Sequence, residues 1–441
     1  MKVTNWRRTL AASLVAGGLM SPAAAHAANL NTNLVTNPSF ESVDTGTVGS
    51  YASVKILGWA DGTLTGFAYN IALGYDFGGP LAGGGDYYFT PNGGPTNPDQ
   101  VEFPGEVSQN IDVSTTATGA QIGSGEAAVK LSAFFTSYLD NGDIGNVHVE
   151  FFNAGNTSLG SAQISAKSPI TTWHQVTGAA FVPVGTTRFK TSLFGTPISG
   201  GPDGYTDLVD VQVTEAANEL LFVEVNTTSG QVTLKNQTGD PFHIDYYEIT
   251  APGVAGDYNN DGTVNAADYT RWRDNLGASV TLPNDSTPGM VTAADYDVWK
   301  AAFGGGNSLN ATAWNSLQEQ NLAGFPAGNG TGNGWEQAGG SDANLLSESF
   351  LTGNSLVSNG ASIGLGAAFN VGSLHNLEFR YAVVPDDGLG GFAGPGTLAQ
   401  GFVRYFTSGA GAVSAVPEPS SVLLVGVGLA SLAVGGRRKK E

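Results

Sequence analysis

The most specific chemistry in this chain lies in one run of twelve residues. Asp257, Asn259 and Asp261 stand at positions 1, 3 and 5 of the segment 257–268, with Gly262 at 6, Thr263 at 7 and Asp268 at 12. A hard divalent cation such as calcium takes six or more oxygen donors. This spacing offers them as alternate side chains of one tight turn, a backbone carbonyl at 7 and a closing carboxylate at 12, while the glycine permits the sharp turn. Asn265, at position 9, is placed to act through water. Val264 to Gly277 then recurs as Val291 to Gly304 at a period of 27, with seven of fourteen positions identical. The second copy is poorer in donors, because Asn284, Ser286 and Pro288 fall at 1, 3 and 5, Asp285 lies one place out of register, and Asp295 alone closes the loop. Calcium is therefore expected in the first loop, and a weak or empty site in the second.

The first loop is EF-hand-like by position, and each copy continues into a short amphipathic helix. Tyr269, Trp272 and Leu276 in the first copy, and Tyr296, Trp299 and Phe303 in the second, are spaced i, i+3, i+7 for burial. The duplicated loop and helix resembles a type I dockerin, a module that docks onto cohesin domains, and Asp rather than Glu at position 12 fits that family. The resemblance implies calcium as cofactor and a cohesin-like protein as partner. The pair at positions 10 and 11, which contributes to partner contacts in many dockerins, is Ala-Ala in both copies (Ala266-Ala267 and Ala293-Ala294).

Outside this module no catalytic constellation can be written. There is no G-x-S-x-G, H-E-x-x-H or Walker sequence, and the five histidines are isolated. Glycosidases need two positioned carboxylates, and the nearest approach, Asp245 and Glu248, falls on opposite faces of a strand by alternation. A net charge of −20, from 18 Lys plus Arg against 38 Asp plus Glu, argues against nucleic acid as a partner. With no cysteine, disulfides and thiolate metal sites are excluded.

The elements that would carry these groups are mainly strands. Glycine, at 63 of 441 residues, is about twice its usual share, which suits many short strands joined by tight turns. Val147, Val149 and Phe151 alternate with His148 and Glu150, and Phe189, Thr191 and Leu193 with Arg188 and Lys190. The polar members share an outward strand face that could line a binding surface. Several phrases resemble the galactose-binding-like jelly rolls found as carbohydrate-binding modules: Leu34 to Glu41, Val107 to Val113, Trp173-His174-Gln175-Val176 with Phe181-Val182-Pro183, and the closing Asp210-Val211-Gln212-Val213. That resemblance implies a β-sandwich over residues 28–216 that binds polysaccharide by stacking aromatic faces on sugar rings. It also implies a structural calcium shared by the opening and closing strands, mapping to Glu41 and Asp210, although Val209 stands where the family often has a second Asp. Trp59, Tyr87 and Tyr88, outside obvious core alternation, are the expected stacking residues, and Trp173 is assigned to packing.

Residues 218–250 read as a three-stranded meander. So few strands cannot bury an independent core, so their partners are expected in 307–410, which contains Leu377, Phe379, Tyr381, Val383 and the phrase Phe402 to Phe406. The second β domain is thus expected to be discontinuous, 218–252 plus 307–410, with the loop-helix module of 253–306 inserted in a surface loop.

The two ends are addresses. Residues 1–27 have a basic start, an apolar stretch from Leu10 to Met20 and an Ala25-His26-Ala27 cleavage site, the pattern of a secretory signal peptide handled by Sec machinery. At the other end Pro417, Glu418 and Pro419 precede an uncharged run from Val422 to Gly436 and then four basic residues, Arg437 to Lys440. This tail, residues 416–441, resembles the PEP-CTERM sorting signal of bacterial exported proteins. The resemblance implies a transient inner-membrane anchor, cleavage by an exosortase, and release to or attachment at the cell surface or extracellular matrix. Without both ends 11 basic and 36 acidic residues remain, a charge of −25.

The sequence thus reads as a mainly β, exported, non-catalytic modular protein: a jelly roll, a second sandwich-like domain interrupted by a small helical calcium module, and a hydrophobic sorting helix. Polysaccharide or extracellular matrix is the expected ligand. The competing readings are a secreted polysaccharide-active hydrolase and a purely structural matrix or adhesion component.

Overall fold

The computed structural model describes residues 30–407 apart from 49–53, 62–63, 71–76, 80, 92–105, 115, 139–142, 168–171, 199–200, 307, 338–340 and 385–395. The expected signal peptide and the sorting tail, Pro417, Glu418 and Pro419 included, lie outside the described residues. The chain divides into two compact units, Met1–Leu220 and Leu221–Glu441.

The first unit is a β-sandwich. Its strands are β1 (Val43–Val48), β2 (Val54–Asp61), β3 (Leu64–Asn70), β4 (Tyr87–Thr90), β5 (Val107–Asp112), β6 (Ala127–Ser137), β7 (Ile144–Asn153), β8 (Ser158–Lys167), β9 (His174–Phe181), β10 (Thr186–Thr196) and β11 (Gly204–Glu215), with one two-turn helix, α1 (Thr116–Gly123). One sheet has the order β1-β2-β3-β4-β11-β6-β9 and the other β5-β10-β7-β8. Every described pairing in them is antiparallel. The alternation read from sequence holds: Val147, Val149, Phe151, Phe189 and Leu193 are buried between the sheets with Val129, Leu131, Val211 and Val213 from the opposite sheet. Strands of period two place every second side chain on this core, and the intervening ones face outward.

The second unit assembles strands from either side of residues 253–306. Its strands are β12 (Phe222–Asn226), β13 (Val232–Lys235), β14 (Phe242–Thr250), β15 (Glu336–Gln337), β16 (Leu345–Ser349), β17 (Ser355–Val357), β18 (Ser362–Gly364), β19 (Glu378–Val383), β20 (Thr397–Gln400) and β21 (Phe402–Phe406). One sheet runs β18-β13-β12-β21, with β21 parallel to β12, and the other β15-β16-β14-β19-β20, with β17 also paired to β14. Leu221, Val223 and Ile249 share one core with Trp314, Trp335, Phe379 and Tyr381. The short helix α4, which is Leu317–Gln320, is tied down by the buried Glu348, which accepts from Leu317 N at 2.7 Å, Gln318 N at 2.8 Å and the Tyr247 hydroxyl. Burial pushes that carboxyl above its ordinary range.

Between these halves sit α2 (Ala266–Asn275) and α3 (Ala293–Ala302). Each starts with a capping box: Asn265 accepts from Ala267 N while Asp268 accepts from Asn265 N, and Thr292 and Asp295 repeat the arrangement. The helices cross-brace symmetrically, Trp272 Nε1 donating to Thr292 O at 2.7 Å and Trp299 Nε1 to Asn265 O at 2.8 Å. Tyr269, Trp272, Tyr296 and Trp299 form one ring cluster with centroids 5.0–6.2 Å apart. The expected third member of each stripe is corrected: Leu276 and Phe303 are 54% and 58% exposed. Both are C-cap residues with ψ near 125°, so the backbone has already left the helix and turns these side chains to solvent.

Candidate functional site

Two of the three expected stacking residues present no free face. Trp59 is fully buried against Phe40, and its Nε1 donates to Asn37 O at 3.1 Å. Tyr88 is buried against Tyr205 and Trp173, and Tyr87 is half-buried against the main core. Trp59 and Tyr88 spend their ring surface inside the fold, which corrects their assignment as exposed sugar platforms. Trp173 packs as expected, edge-on to Tyr88 and so close over Gly78 that a Cβ there would lie 2.4 Å from its Nε1.

The outward face of the four-stranded sheet gathers a different set. Strand register places Asp112, Arg188, Phe152 and Ser158 in one cross-strand row, Asn110, Lys190, Glu150 and Ser161 in the next, and Ser108, Ser192, His148 and Gln163 in a third, of which Ser108 and Ser192 are covered. The Arg188 guanidinium lies 4.2 Å over the Phe152 ring and donates to Asn110 Oδ1 and, at 3.2 Å, to Asn156 Oδ1. Cross-strand Asp112 does not pair with it, because its Oδ1 accepts from Ser114 N at 2.8 Å and Ser114 Oγ at 2.6 Å. Lys190 reaches Glu106 at 3.4 Å. Beside Asn110 the sheet edge opens into a depression of about 380 Å³, lined also by Leu34, Thr36, Gly58, Ser108 and Ile111, in which the buried Ser108 Oγ has no hydrogen-bond partner. A planar cation held over an aromatic ring, with amide groups beside it on one strand face, offers hydrogen-bonding groups and a stacking plane to a hydroxyl-rich ring. His148, Glu150, Arg188 and Lys190 were legible as one face. Phe152 and Asn110 were missed, although alternation carried one residue past Phe151 would have found the ring.

The expected Glu41 and Asp210 pair is also redrawn. The carboxyl that feels the charge of Glu41 is Asp207, 2% exposed, and its pKa is pushed up to about 8 by burial, with the Leu208 N–H opposing the shift and Glu41 adding to it. A register shift between Asp207 and Asp210, with Leu208 at φ 48°, turns the strand so that Asp210 instead accepts from Gln212 Nε2 at 2.7 Å. Glu41 Oε1 accepts from Asp86 N and Tyr87 N at 2.9 and 2.8 Å. Gly84 and Gly85 wrap both carboxylates so closely that a Cβ would fall 2.5 Å from Asp207 Oδ2 and 2.4 Å from Glu41 Cδ. A buried carboxyl, Asp207, beside the exposed Glu41 in a glycine cradle has the chemistry of a hard-cation site.

In the first loop Asp257 and Asp268 are fully buried. Asp257 accepts from Asp261 N and Gly262 N at 3.1 and 2.9 Å, Asp268 from Asn259 N at 3.0 Å, and Asp261 from Thr263 N at 2.9 Å. Burial raises the Asp257 pKa, the N–H groups of Gly262 and Asp261 oppose that, and the charges of Asp268 and Asp261 add to it. Among the described residues no group of three or more His, Cys, Asp or Glu side chains is gathered as a ready metal site, and the loop's donors are currently met by its own N–H groups. The mixed set of carboxylates, the Asn259 amide and the Thr263 carbonyl nonetheless fits calcium. In the second loop Asn284 Nδ2 donates to Asp257 O at 3.0 Å, bracing the first loop. Thr287 Oγ1 donates to Asp295 Oδ1 at 2.5 Å, and Asp285 lies against the same carboxylate.

The hydrolase carboxylates are separately engaged: Asp245 accepts from Gly396 N at 2.8 Å, and Glu248 from Tyr246 Oη at 2.8 Å beside Arg380. No helix among the described residues is long and apolar enough to cross a membrane.

Residues 415–439 match the PEP-CTERM protein-sorting motif, so the chain carries an export and sorting signal at its C-terminal end. No curated protein sequence matches the chain. Among solved structures, Family 16 Carbohydrate Binding Module-2 aligns at 16% identity over 42% of this chain and 100% of that chain, with a TM-score of 0.21. A structure titled "CBM4 structure and function" aligns at 15% over 41% and 99%, TM-score 0.23, and the CBM22-1 xylan-binding domain from Paenibacillus barcinonensis Xyn10C at 10% over 40% and 97%, TM-score 0.22. The chain spans only 21% of the bacteriophage CBA120 tailspike protein 4 enzymatically active domain and 27% of the arabinose-bound MgGH51 α-L-arabinofuranosidase, with which it also aligns. At such TM-scores the sandwich architecture stands on its own strand pairing.

Proposed function

We propose that this is an exported, non-catalytic protein that binds polysaccharide, or matrix containing it, through the outward face of the β5-β10-β7-β8 sheet. The observation that carries the reading is the Arg188 guanidinium held over Phe152 by Asn110 and Asn156 rather than by a carboxylate. An arginine neutralised in an ion pair is a finished contact, whereas one oriented by amides on an aromatic ring keeps donor capacity for a ligand. Mature protein mixed with a panel of insoluble polysaccharides should be retained by at least one. Failure to bind any of them would favour the structural-matrix reading.

The export half of the reading rests on the sorting motif, with Sec machinery and an exosortase as processing partners. Mass spectrometry of extracellular protein should find an N-terminus near Ala28 and a C-terminus close to Pro417–Pro419. Recovery of the intact Arg437 to Glu441 end would contradict it.

Calcium completes the proposal. Asp257, Asn259, Asp261, Asp268 and the Thr263 carbonyl would hold one ion, and Glu41 with Asp207 a second. When bound, the cation supplies countercharge to buried carboxylates. Duplicated loops, capped helices and exposed Ala266-Ala267 and Ala293-Ala294 pairs support a type I dockerin-like module with a cohesin-like partner.

A further inference from the structure

The two loops of the helical module are wired to different parts of the chain. In the second copy Val291 pairs inward: Gly277 N donates to Val291 O at 2.9 Å and Val291 N to Ala278 O at 3.0 Å, both partners lying in the module's own linker. In the first copy the equivalent residue, Val264, pairs with the segment by which the chain leaves the module. Gly304 N donates to Val264 O at 2.9 Å, Val264 N to Gly305 O at 2.8 Å, and Thr263 bridges Gly306. The incoming chain is held at the same place, since Asp257 N donates to Val254 O at 3.0 Å and a Cβ on Gly305 would lie 3.9 Å from Val254 Cγ1.

Two residues beyond this clasp the chain enters the core of the second β domain. Ser308 is buried and donates through Oγ to Leu374 O at 2.7 Å, and Leu309, 1% exposed, bridges Phe369. Thr263 is thus both position 7 of the first loop, its carbonyl accepting from Asn265 Nδ2 at 3.3 Å, and a rung of the clasp on the outgoing chain. We propose that calcium in the first loop latches the outgoing end of the module, and so controls the order of the 308–315 segment, while a cation in the second loop would act only within 253–306. This rests on the calcium reading given above. A ligand that binds the latched state stabilises whatever that state orders, so the effect must appear outside the module.

Hydrogen exchange by mass spectrometry on the mature protein, paired with equilibrium dialysis of radioactive calcium, tests it. Calcium should slow exchange in peptides covering 308–315 by about tenfold or more, and Asp261→Ala should remove both that protection and one bound ion. Six Gly-Ser residues inserted directly after Gly306 should leave calcium binding intact and abolish the protection of 308–315. Binding accompanied by protection confined to 257–306 would overturn the latch and leave the calcium reading standing. Equal calcium binding by wild type and Asp261→Ala would overturn the first-loop reading, and the latch with it.

Discussion

Trp59→Ala is expected to destabilise the first unit by about 3–5 kcal/mol, the usual cost of emptying a large buried aromatic site. The ring is fully buried against Phe40, 5.8 Å between centroids, and its removal also leaves Asn37 O without the indole N–H. Chemical denaturation followed by far-ultraviolet circular dichroism should show a lower midpoint for the transition of that unit. Below that midpoint, polysaccharide affinity should be unchanged. An unaltered midpoint with lost affinity would return Trp59 to the binding surface.

Asp207→Asn should reshape the pH dependence of the same unit. The folded-state pKa of about 8 lies above the ordinary 3.8, so without calcium the folded state keeps a proton that the unfolded chain releases. The stability contributed by that proton is fully present below about pH 4 and is lost as pH rises through about 8. Calcium-free wild type should therefore weaken between pH 5 and 8, by on the order of a few kcal/mol. The Asn variant, which carries no charge to desolvate, should be flat over this window and more stable at pH 8. Calcium should restore wild type at pH 8 and do little for the variant. A calcium-free wild type whose melting temperature is constant from pH 5 to 8 would show that Asp207 ionises at its ordinary pKa.

The parts of this fold that were legible in sequence are those fixed by local periodicity. Period-two alternation in Val147 to Phe151 and Phe189 to Leu193 located core strands, because one sheet face is buried and a one-residue slip would invert it. The two helices at 266–275 and 293–302 were legible because their capping residues, Asn265 with Asp268 and Thr292 with Asp295, are local in sequence. What the sequence hid depends on non-local packing. Trp59 and Tyr88 break the simple alternation yet are covered by other segments, and nothing in their neighbours announces that. The Asp207–Asp210 irregularity is a bulge, which moves the acid facing Glu41 by three places without any signal in composition. Leu276 and Phe303 continue a helical stripe in sequence after the helix has ended in space. Phe152 and Asn110 become one site with Arg188 only through the pairing of β7, β10 and β5.

The most direct test of the account is calorimetric titration of the mature protein with a soluble form of the polysaccharide that retains it, comparing wild type with Arg188→Ala and Phe152→Ala. Each variant should weaken binding by about 1–2 kcal/mol, roughly five- to thirtyfold, with its melting temperature little changed, since both side chains stand on the outward face. Wild-type affinity in both variants, with both still folded, would show that this sheet face is not the binding surface.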